Sequence, residues 1–362
     1  MKILQILTDT NIGGAGKYLL ALLGSYDRAQ FSMEVVLPKG SRLIPEVTAL
    51  DIVVHEVPYI DDRSFSFKGV WKLYKVIKNI RPDIVNTHAS LAGRIAAKLA
   101  GCRVVFTRHY CVAISKWGFL NNIFNDGIIA VSPEVARGLT AIGTNPDKIT
   151  TIFNGVPPLQ EISIDERTRI RNDYGISASS FVISHIARFD GIKGHDHVLD
   201  AAKILMKESR FKNQMVILLA GDGPLEEHIK NRIREEEIDN VVLAGFVPSS
   251  KIYEVFNITD LQVNASYTEA TCMALLEGFS LGIPAVATDV GGNPYVVTPN
   301  CGVTVPPSSG YTLAKTIIKI QDNKALYKKF SDEAKKMYDK KFSADIMTRQ
   351  IEDLYRKKGG YV

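Results

Sequence analysis

Short apolar runs and longer stretches of helical periodicity alternate along nearly the whole chain. Apolar runs bounded by turn residues predict strands at 2–7, 33–37, 52–57, 83–88, 103–108, 127–131 and 149–152. Apolar positions at helical spacing predict helices between many of them, at 17–27, 68–80, 90–100 and 134–142. The cluster Asn154-Gly155-Val156-Pro157-Pro158 then breaks the pattern and reads as a domain boundary. A polar helix follows at about 163–174, and a second series opens with strands at 181–187, 214–220, 241–244, 259–263 and 284–288. Its helices are predicted at 194–208, 224–236, 249–256, 271–281 and 311–339. The last amphipathic segment, Phe342 to Lys358, has a pattern that allows packing on either half.

Strands alternating with helices imply parallel sheets covered on both faces. Two such series predict an α/β protein of two doubly wound, Rossmann-like domains, 1–157 and 158–341, with 342–362 as a final helical segment. Ligands in such folds bind beyond the carboxyl ends of the strands, so two facing domains predict a cleft between them. At 362 residues and 46 % hydrophobic content, the chain has enough apolar side chains for two cores. It has no run of 18 apolar residues and no signal-peptide pattern at its start, so no transmembrane helix or secretion signal is expected. Cys102, Cys111, Cys272 and Cys301 show no CxxC spacing, which suggests reduced thiols in a cytoplasmic protein.

The residues that carry chemistry gather where predicted strands end. The segment from Glu269 to Glu277 holds two carboxylates around Ala270, Thr271, Cys272, Met273 and Ala274. A helix beginning near Ala270 would put Glu269 at its mouth and Glu277 about two turns in, about 12 Å away along the axis. That is close to the length of a sugar-diphosphonucleoside from hexose to ribose. The helix N-terminus between them attracts phosphate. Carboxylates accept hydrogen bonds from hydroxyls, so one suits a sugar and the other a ribose. Carboxylate pairs are common, and the plainer use is one Glu stabilising its helix and another facing solvent. Cys272 falls at the same N-terminus, where a thiol's pKa is lowered. No partner base accompanies it, so it reads as a small residue beside a phosphate.

Arg188 and Lys193, in Ala187-Arg188-Phe189-Asp190-Gly191-Ile192-Lys193-Gly194, follow a predicted strand. They suit a diphosphate, Arg with its fork and Lys as a point charge. Gly221-Asp222-Gly223-Pro224 and Gly245-Phe246-Val247 end two further strands and face a nucleotide base in this reading, although each alone is ordinary turn chemistry. In the first half, Asn11-Ile12-Gly13-Gly14-Ala15-Gly16 joins a strand to a helix, where glycines let the backbone approach a phosphate or sugar. The spacing is not GxGxxG and Val35-Val36-Leu37-Pro38 carries no acidic residue, which argues against a nicotinamide site. His88 and His109 end successive strands and suit proton handling. His195 and His197 are spaced i, i+2 and do not share a helix face, so they read as surface residues and no metal site is expected.

Charge adds one element. Residues 1–157 carry 18 Lys/Arg against 12 Asp/Glu, while the remainder is nearly balanced. No nucleic-acid motif accompanies the excess. Part of it lies on the segment 67–81, with Val70, Leu73, Tyr74, Ile77 and Ile80 on one face and Lys68, Lys72 and Lys75 on another. Covering the first sheet is its plainer role; peripheral contact with an anionic membrane is the alternative.

Taken in order along the chain, these motifs resemble the retaining glycosyltransferases of family 4, which have the GT-B fold. The resemblance rests on Gly13-Gly14, His109, Asn154-Gly155-Val156, Arg188 with Lys193-Gly194, Gly221 to Pro224, Glu269 with Glu277, and Gly282 to Gly292. It implies transfer of a hexose or N-acetylhexosamine from a nucleotide-sugar, usually UDP-linked, to a glycan or lipid-linked acceptor in cell-surface polysaccharide synthesis. The donor is bound mainly by the second domain and the acceptor mainly by the first. The final helix crosses back onto the first domain, and no metal is needed. By the same resemblance, Arg188 and Lys193 hold the diphosphate, Glu277 the ribose, and Glu269 the sugar hydroxyls. Gly13 and Gly14 approach the donor phosphate or acceptor, and His109 stands near the reacting sugar. Gly221, Phe246, Val247, Cys272, Met273 and Ala274 complete the donor site. Two departures stand out. Ala270, Thr271 and Cys272 replace the family's usual residues after the first glutamate, and Tyr295 replaces a glutamate after Gly291-Gly292. The runners-up are a nucleotide-sugar epimerase on a similar fold and a non-catalytic nucleotide-sugar-binding subunit.

Overall fold

The computed structural model describes residues 1–10, 12–60, 66–88, 90–111, 118–208 and 214–360; Asn11, the first residue of the glycine loop, lies outside the described residues. The chain divides into two compact units, one formed by Met1–Pro157 with Lys341–Val362 and the other by Pro158–Lys340.

The first unit is built on seven parallel strands: β1 (Lys2–Ile6), β2 (Ser32–Pro38), β3 (Val53–Val57), β4 (Ile84–Thr87), β5 (Arg103–Arg108), β6 (Gly127–Ala130) and β7 (Ile149–Thr151). Their order is β3-β2-β1-β4-β5-β6-β7. Successive strand residues point to opposite faces, and both faces here are apolar. Ile3, Val35 and Leu37 pack with Tyr18, Leu19 and Leu22 of the helix Gly14–Ser25. Leu4, Ile6 and Val36 pack on the other face with Leu73 and Ile77 of the helix Phe67–Ile80 and with Ala96. Each such buried side chain contributes roughly 1.5–3 kcal/mol. The helix Phe67–Ile80 starts where Ser66 accepts a hydrogen bond from the Gly69 amide, and ends at Arg81, which is left-handed. The C-terminal helix (Ala344–Gly359) belongs to this unit. It places Met347, Ile351, Leu354 and Tyr355 in the first of the two clusters.

The second unit has six parallel strands: β8 (Phe181–Ile186), β9 (Met215–Ala220), β10 (Val241–Gly245), β11 (Leu261–Asn264), β12 (Ala285–Thr288) and β13 (Gly302–Val305). Their order is β10-β9-β8-β11-β12-β13. β13 escapes the sequence pattern because Gly302 and Thr304 interrupt its short apolar run. The single helix expected over 311–339 is two, Gly310–Gln321 and Lys324–Met337. Between them Asn323 accepts a hydrogen bond from the Leu326 amide and starts the second, as a capping side chain does. Short helices at Ile44–Thr48, Leu120–Phe124 and Asn293–Val296 also lie outside the predicted set, since four or five residues carry no helical period.

Strand order reverses between β1 and β4 in one sheet and between β8 and β11 in the other. At such switch points the following loops diverge and leave room for a ligand. Among the described residues, no helix is long and apolar enough to cross a membrane.

Candidate functional site

In the second unit, Lys193 lies on the loop after β8 and Glu269 on the loop after β11, on either side of the switch point. Their side chains meet: Lys193 Nζ is 2.6 Å from Glu269 Oε1, with 21 % and 9 % of the two side chains exposed. Burial works against the Lys193 ammonium, but the Glu269 carboxylate beside it, followed by Cys272, holds its pKa above the ordinary lysine value. The same carboxylate oxygen accepts hydrogen bonds from Ser266 Oγ at 2.8 Å and Asn264 Nδ2 at 3.3 Å. Asn264 also donates to Cys272 Sγ at 3.2 Å and accepts from Asn293 Nδ2 at 2.9 Å. A carboxylate held by several donors has its orientation set before any ligand arrives.

The backbone around this pair is interlocked. Gly194 has φ 68°, and a Cβ there would overlap the Ala265 carbonyl. Gly291 has φ 53°, and a Cβ there would overlap the Glu269 carbonyl, which also accepts from the Gly292 amide at 2.8 Å. Only glycine meets both demands at these positions.

The helix after Glu269 runs Met273–Ser280, with Cys272 extended at its N-cap. The expectation of a start near Ala270 is therefore corrected. Glu277 lies about one turn in, and the 12 Å helical separation does not apply. Thr271 Oγ1 bonds back to the Ala270 carbonyl at 2.8 Å, a local bond that competes with helix formation. Glu277 and Met273 are buried and Ala274 is half-buried. The sequence-based lowering of the Cys272 pKa is also corrected. Burial first, and the Glu269 charge second, push its thiol up to about 12.

Arg188 stands two residues beyond β8. Its side chain is exposed and makes no hydrogen bond or ion pair among the described residues. Backbone bonds tie its loop to those after β9 and β10: the Phe189 amide to Asp222 O at 2.7 Å, and the Gly221 amide to Gly245 O at 2.8 Å. Val247 shares an apolar cluster with Ile252, Ile283 and Ala274, which brings the β10 loop to the helix Met273–Ser280. Phe246 beside it is 68 % exposed. His195 is not a surface residue. It is buried, with its ring 4.7 Å from His185 and 4.8 Å from Phe189. Burial, then His185, push it down to about 2. His197 instead contacts Tyr267 Oη at 2.6 Å. Among the described residues, no group of three or more His, Cys, Asp or Glu could hold a metal ion.

In the first unit, Gly13 caps the helix Gly14–Ser25 with φ −99°, and a Cβ on it would meet nothing within 4 Å. Its lack of a side chain therefore leaves open space and relieves no strain. His88 and His109 follow β4 and β5 and touch: His88 Nδ1 is 3.0 Å from His109 Nε2, with the rings stacked. Tyr18 presents its ring edgewise to both. Burial pushes His88 down to about 3. Burial, then His88 and Arg108, hold His109 well below the usual histidine value. Both imidazoles are neutral near pH 7. His88 Nε2 continues to Gln5 Oε1 at 2.9 Å. Gln5 Nε2 and Asn86 Nδ2 reach Tyr355 Oη at 3.0 and 2.9 Å.

Sequence reasoning passed over Asn264, Ser266 and Asn293 in one unit and Gln5, Asn86 and Tyr355 in the other. Gln5 and Asn86 carried a signal, as amides inside apolar strands that require buried partners. Tyr355 carried none, because its partners are hundreds of residues earlier.

Comparison with known proteins gives the family and the fold. N-acetyl-α-D-glucosaminyl L-malate synthase of Bacillus anthracis is 23 % identical over 331 residues, covering 87 % of this chain and 85 % of that protein. The phosphatidylinositol N-acetylglucosaminyltransferase GPI3 subunit of Saccharomyces cerevisiae is 29 % identical over 332 residues, covering 83 % and 70 %. The crystal structure of Anabaena Alr3699/HepE in complex with UDP-glucose shares the fold, with a TM-score of 0.86 at 20 % identity over 99 % of this chain and 100 % of that one. Residues 12–158 match the family described as Glycosyltransferase Family 4, and residues 166–337 the one described as Glycosyl transferases group 1. With both sheets, both switch points and both halves of the sequence in agreement, the chain belongs to the family 4 glycosyltransferases of GT-B fold.

Proposed function

We propose that this glycosyltransferase moves a hexose or N-acetylhexosamine from a UDP-sugar to a glycan or lipid-linked acceptor, with retention of anomeric configuration. The observation that carries the reading is the Lys193–Glu269 pair at the switch point of the second sheet, with the Arg188 guanidinium uncommitted on the same loop as Lys193. Lys193 and Arg188 supply positive charge for a diphosphate, Glu269 accepts from sugar hydroxyls, and Glu277 accepts from the ribose. Gly221, Phe246, Val247, Cys272, Met273 and Ala274 line the nucleotide and sugar. Gly13 and Gly14 approach the donor phosphate or acceptor, and His109 serves the transferring sugar. The names of the two relatives make N-acetylglucosamine the first donor sugar to try.

In the transfer step the bond from the sugar's anomeric carbon to the UDP oxygen breaks. The acceptor oxygen bonds to that carbon on the same face, and its proton passes to the departing phosphate. Charge grows on the diphosphate as it leaves, and the Lys193 and Arg188 cations stabilise that state more than the ground state. With cations in the protein, turnover is expected to survive EDTA.

Calorimetry with UDP and a transfer assay on the same variants test the reading. Arg188→Ala should weaken UDP by roughly 10- to 150-fold, the worth of a charge-assisted hydrogen bond. Glu277→Ala should weaken it as well. His109→Ala should leave UDP affinity nearly unchanged and lower turnover. Intact UDP binding in Arg188→Ala, or its loss in His109→Ala, would refute the site assignment.

A further inference from the structure

His185, a buried residue of β8, reaches the backbone of both segments that carry the Lys193–Glu269 pair. Its Nδ1 is 3.0 Å from the Val263 carbonyl oxygen on β11, and its Nε2 is 3.1 Å from the Lys193 carbonyl oxygen on the loop after β8. The ring therefore spans the switch point of the second sheet. Carbonyl oxygens only accept, so each contact needs an N–H. A neutral imidazole has one N–H and the imidazolium has two. The neutral ring leaves one of the two contacts without a proton; the protonated ring completes both.

The titratable groups around His185 are Lys193, Glu269 on the loop after β11, and His195, whose ring is 4.7 Å away. The flanking strands β9 and β11 carry none. Burial first holds His185 below the usual histidine value; the Lys193 charge acts in the same direction, and the two carbonyls and Glu269 act against it. Without a ligand the ring is thus neutral near pH 7.

We propose that His185 is a positioning residue that takes up a proton from solvent when the diphosphate of the donor binds beside Lys193, so that both ring nitrogens donate and tie the Lys193 loop to β11. This rests on the reading of that loop as the diphosphate site. A diphosphate brings negative charge to the cation that disfavours the imidazolium, and offsets it. Linkage is reciprocal: a donor that raises the proton affinity of His185 is itself bound more tightly, by the same factor, once the proton is on. The ligand-free value lies below the usual histidine range and the donor raises it. Uptake falls between the two values, and donor affinity rises as pH falls through that window.

Calorimetry of UDP binding to the full chain at pH about 6, just below the usual histidine value, in buffers of different ionisation heat counts the protons taken up. The terminal phosphate of UDP exchanges protons in the same range, and comparison with His185→Gln removes that share. The glutamine amide keeps N–H donors but cannot gain a charge. Wild type should take up more protons than the variant, by no more than about one, and its UDP affinity relative to the variant should rise from pH about 7.5 to about 5.5, by at most about tenfold per pH unit. A role confined to packing moves neither quantity. Spectra of the wild type labelled with 15N-histidine need no variant: at pH about 6, His185 should be neutral alone and protonated on both nitrogens with UDP. Equal proton counts overturn the proposal, and so does a His185 that stays neutral with UDP bound or is already charged without it. UDP binding that survives intact in Arg188→Ala, or no UDP binding to the wild type, overturns instead the donor-site reading on which the proposal rests.

Discussion

Lys193 and Glu269 share one salt bridge that is mostly out of water, so replacing either leaves the other's charge behind. Arg188 has no such partner among the described residues and lies exposed. The two cations of the proposed diphosphate site should therefore behave differently without ligand. Lys193→Ala should lower folding stability by about 1.5–3 kcal/mol, the range for hydrogen bonds to charged groups. Arg188→Ala should change it by no more than about 0.5 kcal/mol, as for an exposed substitution without partners. Urea unfolding of the ligand-free variants measures both, and equal losses would contradict the separation. The ion pair also explains how Glu269 can be present in a polar loop and still be precisely oriented: Lys193, Ser266 and Asn264 converge on one oxygen.

At the level of elements, two helices of the first unit have informative faces. The C-terminal helix joins the first unit beside Gly155, which follows β7 and where a Cβ would overlap the Ser343 backbone, and through Met347, which is fully buried. Met347→Ala should cost about 2–5 kcal/mol of stability, as large-to-small core changes do. Its urea midpoint should fall accordingly, and a neutral result would place the helix outside the cooperative core. The helix Phe67–Ile80 buries Val70, Leu73 and Ile77, so its principal role is to cover the sheet. Its outer face exposes Phe67 and Trp71, with Lys75 Nζ 3.5 Å from the centre of the Trp71 ring and Lys72 over Tyr59. Aromatic rings interleaved with lysines suit an anionic bilayer surface, where a lipid-linked acceptor would be found. We propose peripheral binding through this face. Flotation with anionic vesicles should show salt-sensitive association that Trp71→Ala and Lys75→Ala weaken; absence of binding at low salt would rule it out.

Over the whole molecule, the buried histidines make stability depend on pH. His88 in the first unit is pushed down to about 3 and His195 in the second to about 2, both chiefly by burial. In the unfolded chain each binds a proton below about pH 6.5, while the folded chain does not. Their contribution is thus complete above about pH 6.5 and is lost progressively as pH falls toward the folded values. The urea midpoint should be lower at pH about 5 than at pH about 7.5, and His88→Gln should narrow the difference. A midpoint that rises on acidification would contradict this account. Sequence periodicity alone determined most of the architecture, because strands buried on both faces read as unbroken apolar runs and a covering helix repeats every 3.6 residues. All strands of the first sheet were legible in this way, and so were the loops that carry Lys193, Glu269 and His109. Short elements were not, since β13 and the four-residue helix Asn293–Val296 contain too few positions to establish a period. The helix start at Met273 was missed because the choice between extending a helix and bonding Thr271 back to its own backbone is made locally. What only the tertiary structure decided are the pairings between distant segments: Lys193 with Glu269, His88 with His109, and Tyr355 with Gln5 and Asn86. The amphipathic pattern of the last helix specifies a buried face but not the partner that buries it. That partner, and the hydrogen-bonded chain that links Tyr355 to His109, exist only once the chain has folded and brought those groups within reach.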